Sequence, residues 1–338
     1  MSAIPEGSTV LMTGATGCVG SGIVIEVLKA GYKIKAAVRN PEKAKQYADA
    51  YNKRYPGAFE TVLIEDNKRP GAFDAALQGC SGVIHCAGGI AGDEFDAAQS
   101  EVDTILEIAR SASKVPSVKR VVYTSSTNAL TRSMTKPGHL SSSSWNDEAI
   151  EALKKPRSKP DWDWDRAMDV YSAGKVLAER ALFDFVKDHK PGFVANVVNP
   201  NFNIGENIIG TPATSNSLVA AIATNNEEGV TLARFIMPQF LISLVDDGLL
   251  HLAALTQEDV QNERIVAAAE PISFNILLAV LEKLGIKNLP APAVGKDDRT
   301  VQKTADTTRS LELLKRYGKN SFDDLETAVQ RCVSTLVA

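Results

Sequence analysis

The chain has 338 residues, 44% of them hydrophobic, so it can bury a large core as one domain with an appendage or as two closely packed lobes. Its 37 basic and 41 acidic residues are mixed along the chain and give a net charge of −4. This composition excludes a disordered or fibrous protein, and the lack of a basic stripe means that no nucleic-acid partner is expected.

The first eight residues, MSAIPEGS, lack the basic and apolar regions of a secretory signal. The longest apolar stretch, FIMPQFLISLV, contains Pro238 and Gln239 and is too short to span a bilayer. We therefore expect a cytoplasmic protein with no membrane partner. No metal site is predicted, because no CxxC spacing occurs among the four cysteines, which are Cys18, Cys80, Cys86 and Cys332.

Short β-branched runs alternate with segments of helical period through the first two hundred residues. Strands are predicted at 9–12, 33–38, 60–64, 82–85, 120–124 and 193–198. Helices are predicted at 18–30, 41–55, 72–78, 95–113 and 166–187. This alternation is typical of βαβ units, and it predicts an α/β fold with a doubly wound parallel sheet covered by helices on both faces.

One connection, from Thr124 to Asp165, is much longer than the others and is predicted to run over the surface near the end of the fifth strand. After Pro200 the pattern is less regular, with helices predicted at 217–224, 241–255, 273–284, 308–317 and 323–336 and a strand at 264–269. We expect a main domain over 1–200, whose sheet is extended by 240–270. A smaller, partly interleaved lobe over 201–338 would cover the strand ends, where open α/β sheets bind ligands.

The stretch TGATGCVG lies between the first predicted strand and the first predicted helix. Its glycines fit a GxxGxxG loop, in which a tight turn and missing side chains let backbone N–H groups approach a pyrophosphate. A glycine-rich turn can also serve close packing alone, but the position after the first strand favours a dinucleotide. The cofactor contacts predicted from this loop are Thr13, Gly14, Thr16, Gly17, Cys18, Val19 and Gly20. A helix dipole can lower a thiol pKa, yet we expect Cys18 only to pack.

The second predicted strand ends at Arg39, where a site that prefers NAD usually has an acidic residue for the ribose hydroxyls. A guanidinium there can bind a 2′-phosphate, and Lys43 can add a second positive charge. The sequence therefore predicts a preference for NADP(H). The alternative is that both side chains are solvated surface charges.

Two further stretches carry groups suited to carbonyl chemistry. In YSAGK, Tyr171 and Lys175 are four residues apart in a helical segment and share one face. An ammonium close to a phenol lowers its pKa and helps it to exchange protons near neutral pH. The strand RVVYT runs into SSTN, whose hydroxyls can orient a carbonyl oxygen beside the tyrosine.

The ordered set TGATGCVG, HCAG, TSST, YSAGK and NPN resembles the extended short-chain dehydrogenase/reductase family. Four other blocks look closer still to the fungal aldehyde and carbonyl reductases that neighbour the plant dihydroflavonol reductases: IPEGSTVLMTGATG, PSVKRVVYTSST, VDDGLLHL and DTTRSLELLKRYG. The similarity covers nearly the whole chain. It implies a Rossmann-type NADP-binding domain over 1–200 and a substrate-binding lobe over 201–338.

The resemblance implies three catalytic residues. Tyr171 would be the general acid, and Lys175 would lower its pKa and hold the nicotinamide ribose. Ser126 would bind the substrate carbonyl; Ser125 is the weaker candidate, because adjacent strand residues point to opposite faces. The family's cofactor contacts would also include Asp66 near the adenine, Ala87 and Gly88 along the cofactor, Thr124, and Pro200 at the nicotinamide face.

The family pattern breaks at VDTILE, where Asp103 and Glu107 replace a glycine and an asparagine of many relatives, so an asparagine-linked proton relay is not implied. The small, glycine-rich GGIAGDEF lacks the bulky residues of a tight aromatic pocket. The leading hypothesis is an NADPH-dependent reductase of an aldehyde or ketone, a monomer or homodimer with a small hydrophobic substrate. Oxidation, epimerisation or dehydration, and a non-catalytic nucleotide-binding role, remain the alternatives. Pocket residues are predicted to include Thr127, Asn128, Phe202, Met237 and Phe240.

Overall fold

A computed structural model describes residues 2–89, 92, 94–156 and 162–336. Its helices are α1 (Cys18–Lys29), α2 (Pro41–Arg54), α3 (Phe95–Ser113), α4 (Asp147–Leu153), α5 (Trp164–His189), α6 (Ser215–Ala223), α7 (Glu227–Ile236), α8 (Leu244–Thr256), α9 (Phe274–Lys283), α10 (Thr308–Lys315) and α11 (Leu325–Val333). Its strands are β1 (Thr9–Thr13), β2 (Lys33–Val38), β3 (Phe59–Leu63), β4 (Cys80–His85), β5 (Arg120–Thr124), β6 (Gly138–Leu140), β7 (Val194–Pro200), β8 (Phe202–Ile204), β9 (Gln239–Ser243), β10 (Arg264–Ala267), β11 (Pro271–Ile272) and β12 (Lys303–Ala305).

The central sheet has the strand order β10-β7-β5-β4-β1-β2-β3 among the described residues, and all neighbouring strands are parallel. The order reverses between β1 and β4, which opens a crevice at the carboxyl ends of these two strands. The predicted doubly wound parallel sheet is confirmed.

Alternation along β1 sends its side chains into two different cores. Val10 and Met12 pack with α1 and α8 on one face of the sheet, whereas Leu11 packs with α3 and α5 on the other. Because both faces are covered, the strand is apolar throughout, as parallel strands usually are. The two helical layers leave the carboxyl edge of the sheet as the place where side chains can meet a ligand.

The chain returns to the central sheet late in the sequence, at β10. This strand lies within the predicted run 264–269 and pairs with β7, with Arg264 opposite Val197. Residues after 200 therefore complete a sheet that residues before 200 begin.

The remaining C-terminal elements form a separate apolar core. β8, β9 and β11 make a small sheet, and α6, α7, α9 and α11 enclose its buried side chains, which include Phe202, Val219, Leu241, Phe274 and Leu277. None of the helices in the described part of the chain is long and apolar enough to cross a bilayer.

Two predicted helices are wrong in part or in whole. Residues 72–78 form turns, because Gly71 and Gly79 flank them with φ of +76° and +77° and leave too few residues for a stable helix. The helix predicted from 241 begins only at Leu244. Ser243 caps it by accepting a hydrogen bond from the Asp246 amide at 3.0 Å, and the residues before it form β9.

The long connection after β5 was predicted to run over the surface, and this prediction is wrong in part. Leu130, Met134 and Leu140 are buried with Phe240 and Val266, and β6 pairs with β12. Residues 157–161 of this connection, and Ile90, Ala91 and Asp93 of GGIAGDEF, lie outside the described residues.

Candidate active site

The glycine loop after β1 is shaped by close backbone contacts. Gly14 has φ of +74°, and a Cβ atom there would lie 2.6 Å from the backbone of both Cys86 and Ala87. A Cβ atom on Gly20 would lie 1.9 Å from the Gly14 oxygen. On Gly17 it would meet the chain only at 3.4 Å, an ordinary contact with the Gly14 oxygen. Packing among the described residues thus requires the first and third glycines but not the second.

Side chains from three neighbouring elements hold this loop in position. Thr13 Oγ1 accepts a hydrogen bond from the Ala87 amide at 3.0 Å and lies 2.6 Å from His85 Nδ1. Tyr51 of α2, fully buried, donates to the Ala15 carbonyl at 3.1 Å. The loop is therefore pinned to β4 and α2, with its helix end facing the crevice between β1 and β4.

A groove of about 750 Å³ runs from the glycine loop along the carboxyl edge of the sheet. Arg39 and Lys43 are exposed at one end of it, where Asn40 caps α2 by accepting from the Lys43 amide at 3.1 Å. The predicted cofactor residues that line it are Thr13, Gly14, Thr16, Arg39, Lys43, Asp66, Ala87 and Gly88.

Eight other predicted residues do not line this groove. Two of them, Tyr171 and Lys175, line a small adjoining pocket that shares Gly89, Ala97 and Glu101 with the groove. Gly17, Cys18, Val19 and Gly20 lie at the amino end of α1, Thr124 ends β5 and Pro200 ends β7. The Thr124 hydroxyl is 2.8 Å from His251 Nε2, so it faces α8. Cys18 is 7% exposed, and burial raises the pKa of its thiol, opposite to the direction that a helix dipole would give.

Tyr171 and Lys175 lie one turn apart on α5, which begins where Asp163 accepts from the Asp165 amide at 3.1 Å. The Lys175 ammonium is 5.8 Å from the centre of the Tyr171 ring. Lys175 is buried, whereas Tyr171 is only half-buried. The Tyr171 hydroxyl can thus contact a ligand, while the Lys175 ammonium lies deeper in the protein.

Lys175 is held by an ion pair that the sequence analysis missed. Its Nζ donates to Glu101 Oε1 at 2.6 Å and to the Thr124 carbonyl at 3.1 Å. The Tyr123 hydroxyl donates to the same Glu101 oxygen at 2.7 Å. Burial lowers the pKa of Lys175, but the Glu101 carboxylate more than offsets this and holds that pKa above its usual value.

Small residues allow the helices that carry this pair to approach each other. A Cβ atom on Gly174 would lie 3.2 Å from the Ala98 Cα, so α5 and α3 touch at backbone distance there. Glu101 lies one turn after Ala98, on the face of α3 that also carries buried Ile105 and Ile108. An acidic residue on an otherwise apolar helix face is the signal that could have identified Glu101, because a buried charge needs a partner.

The two serines after β5 have different partners. Ser125 Oγ donates to Glu179 of α5, which also pairs with Arg264 at 2.6 Å. Ser126 Oγ accepts from the Asn128 amide at 3.2 Å in a short 3₁₀ turn that packs against α5. The Ser125 hydroxyl is thus engaged beneath the site, while the hydroxyl of Ser126 retains its proton for a further acceptor.

Two groups beside the site are uncharged near neutral pH. Burial lowers the pKa of His85 to about 4, and burial raises the pKa of the Cys86 thiol to about 12. Neither is equipped for acid–base or nucleophilic work.

The chain is similar to known NAD(P)H-binding proteins. A family model described as NAD(P)H-binding matches residues 14–171. Aldehyde reductase 2 of Sporidiobolus salmonicolor is 35% identical over 99% of this chain and 98% of the relative. An NAD-dependent epimerase/dehydratase of Aspergillus terreus is 34% identical, with the same two coverages.

Among solved structures, the yeast methylglyoxal/isovaleraldehyde reductase complexed with NADPH superposes with a TM-score of 0.78 over 97% of this chain and 98% of that one, at 23% identity. It therefore shares the fold. The chain belongs to the extended short-chain dehydrogenase/reductase family, in the branch of fungal aldehyde and carbonyl reductases close to the dihydroflavonol reductases.

Proposed function

We propose that this protein is an NADPH-dependent reductase that converts an aldehyde or a ketone into the alcohol. The observation that carries the proposal is the arrangement on α5, where half-buried Tyr171 lies one turn from buried Lys175 in a small pocket that adjoins the groove. A reductase needs a proton donor at that position and a cation below it. The similarity to aldehyde reductase 2 over 99% of the chain supports the same reaction class.

The glycine loop and the groove fit a bound dinucleotide. Gly17 has no packing reason within the described chain to lack a side chain, and α1 begins after it without a side-chain cap. A pyrophosphate at this helix terminus would accept from the free backbone N–H groups. Arg39 and Lys43, at the far end of the groove, supply the positive charge that a 2′-phosphate requires.

In this proposal the chain's own residues bind and protonate the substrate. NADPH, when bound, supplies the hydride. Ser126 donates a hydrogen bond to the carbonyl oxygen, and Tyr171 gives its proton to that oxygen as negative charge develops there. Both interactions strengthen in the transition state, which is what accelerates the chemical step. Lys175 holds the ribose side of the cofactor and stabilises the phenolate that remains.

We infer that the substrate is a small hydrophobic carbonyl compound. Phe240 is buried beside Asn201, which accepts from the Phe240 amide at 2.6 Å and donates to Thr127 Oγ1 at 2.5 Å. Phe202 and Met237 are buried in the C-terminal core. Since Thr127 follows Ser126, Asn201 links Phe240 to the neighbourhood of the proposed carbonyl site. Apolar walls with few polar groups are typical of small-molecule pockets.

An aromatic pair supports the same inference at the rim. Trp164 lies seven residues before Tyr171 on α5, hence on the same face, and its ring is 6.5 Å from that of Phe235 at the end of α7. Both rings are more than a third exposed, at 38% and 43%. They offer an entering substrate an apolar contact.

We further propose that the two parts of the chain have different roles. Residues 1–200 bind the cofactor, with the sheet extended by the 240–270 segment, and residues 201–338 form the substrate-binding lobe. The protein is proposed to act in the cytoplasm as a monomer or homodimer.

One experiment tests the proposed reaction. Purified protein is incubated with NADPH and a panel of aromatic and aliphatic aldehydes and ketones, and NADPH loss and alcohol are both measured. We expect stoichiometric alcohol, and Tyr171→Phe to lower kcat by about 10²- to 10⁴-fold while still binding NADPH. The proposal is overturned if no carbonyl is reduced and the variant behaves like the wild type.

The second candidate is an epimerase, dehydratase or oxidising dehydrogenase that uses the same site. The name of the Aspergillus terreus relative favours it. An epimerase would leave the NADPH absorbance unchanged over many turnovers, and an oxidising enzyme would consume NADP instead. The stoichiometry of the same experiment separates these reactions from net reduction.

A further inference from the structure

Glu101 contributes the negative charge nearest to the Lys175 ammonium. Its side chain is 16% exposed and that of Lys175 is 5% exposed, with 2.6 Å between Oε1 and Nζ. A Cβ atom on Gly88 would lie 2.8 Å from Glu101 Oε1 and 3.2 Å from Lys175 Nζ. The ion pair therefore lies directly against the backbone that lines the groove.

The other titratable groups described around this pair lie on or next to five elements, β4, β5, α5, α8 and β10. Tyr123 of β5 has a pKa raised well above its usual value, first by burial and then by Glu101, and it stays protonated. His85 and Cys86, which follow each other at the end of β4, are uncharged near neutral pH. Beyond them, Glu179 forms an ion pair with Arg264 at 2.6 Å, and buried Asp247 lies 3.3 Å from His251 Nδ1.

Among the described residues, the charged groups that share a small pocket with Tyr171 are Lys175 and Glu101, and their charges oppose each other. Burial raises the pKa of Glu101, but the Lys175 ammonium and hydrogen bonds from Lys175 and Tyr123 outweigh it and lower that pKa. The carboxylate is therefore ionised at neutral pH. An ammonium that is paired in this way attracts a phenolate less strongly than an isolated one.

We propose that Glu101 is a positioning residue that fixes the Lys175 ammonium and keeps the proton on the Tyr171–Lys175 pair, so that the site favours reduction. The proposal rests on the proposed function. A general acid can act only while it is protonated, and the negative charge of Glu101 opposes the first proton loss from the pair. This holds whichever of the two groups releases that proton, because a nearby negative charge disfavours the loss of a proton from either one.

The decisive variant is Glu101→Gln, which keeps the size of the side chain and removes its charge. We expect the alkaline limb of the kcat profile for carbonyl reduction to move to lower pH by about one unit or more. Glu101→Asp keeps the negative charge, so the alkaline limb of its kcat profile should lie close to that of the wild type. Tyr123→Phe, which removes one hydrogen bond but no charge, should shift it less than Glu101→Gln.

Glu107→Gln is the matched control. Glu107 is a buried glutamate of the same helix, but it accepts from the Gly71 amide at 2.7 Å and from Ser111 Oγ at 3.2 Å, away from the lysine. The alkaline limb of the kcat profile of Glu107→Gln should match that of the wild type. If both glutamine variants lower kcat equally and leave the limb in place, Glu101 is only structural and the proposal is wrong.

A measurement without turnover separates this proposal from the proposed function. The ultraviolet absorbance of tyrosinate is titrated with pH, and the difference between each protein and its Tyr171→Phe counterpart isolates Tyr171. In the Glu101→Gln protein, the tyrosinate absorbance of Tyr171 should appear at lower pH than in the wild type, or Lys175 should become reactive to acylation at lower pH. If neither moves, the proposal fails even when reduction is observed. If both move but no carbonyl is reduced, only the proposed function fails.

Discussion

The carbonyl oxygen of Gly14 lies 1.9 Å from the point that a Cβ atom on Gly20 would occupy. The contact joins the turn after β1 to the first turn of α1, so the helix starts as close to the sheet as its backbone allows. Three residues earlier, Gly17 has ordinary space around it. In TGATGCVG, Gly14 and Gly20 are thus needed for packing, whereas the space at Gly17 is open to a ligand.

Gly20→Ala should destabilise the protein, because the added carbon must push α1 away from the loop. We expect a loss of about 1–3 kcal/mol in the free energy of unfolding, measured by urea denaturation. Gly192→Ala is the control, since nothing lies within 4 Å of a Cβ atom there. Equal midpoints for the two variants would contradict the packing role of Gly20.

Arg39→Asp should reverse or abolish the preference for NADPH over NADH. Loss of charged hydrogen bonds to a 2′-phosphate costs about 1.5–3 kcal/mol, or about ten- to a hundredfold in the ratio of kcat/KM values. Lys53→Asp makes the same change in charge on an exposed residue of α2 outside the groove. A ratio that stays at the wild-type value in Arg39→Asp would mean that Arg39 is a surface charge.

His85 should make the folded state sensitive to acid. Burial lowers its pKa from 6.5 to about 4, so between these values the unfolded chain binds a proton that the folded protein excludes. Stability therefore rises with pH across this window and falls by about 3 kcal/mol as the pH drops through it. His85→Gln should remove this part of the pH dependence in urea unfolding. Parallel curves for both proteins would show that His85 does not contribute.

Cys18 should react slowly with iodoacetamide near neutral pH. Burial raises the pKa of its thiol, so little thiolate is available, and the side chain is 7% exposed. Mass spectrometry of the native and the urea-unfolded protein gives the comparison, because all four cysteines should react readily once unfolded. Rapid labelling of Cys18 that NADPH blocks would instead indicate an activated thiol in the cofactor site.

Local sequence patterns predicted most elements of the cofactor half, but not β6 or α4, and they wrongly predicted a helix at 72–78. Short β-branched runs and helical patterns, with glycines at their junctions, predicted β1 and α1 to within a residue and α3 with both of its ends. The serine, tyrosine and lysine motifs also followed from local spacing. Local patterns work best where a strand is buried on both faces, as β1, β4 and β5 are, and where a helix buries one face, because the sequence then repeats the architecture.

The pairing of buried polar groups depends on how the helices pack. Glu101 and Lys175 are far apart in the chain, and the ion pair forms because small residues at Ala98 and Gly174 let α3 and α5 touch. Helical period assigns Glu101 to an inner face but does not name its partner. The same limit explains the helix wrongly started at 241, because pairing with β8 turned Leu241 and its neighbours into a strand. Contacts between distant segments carry no local signal, and they set the charge around Tyr171.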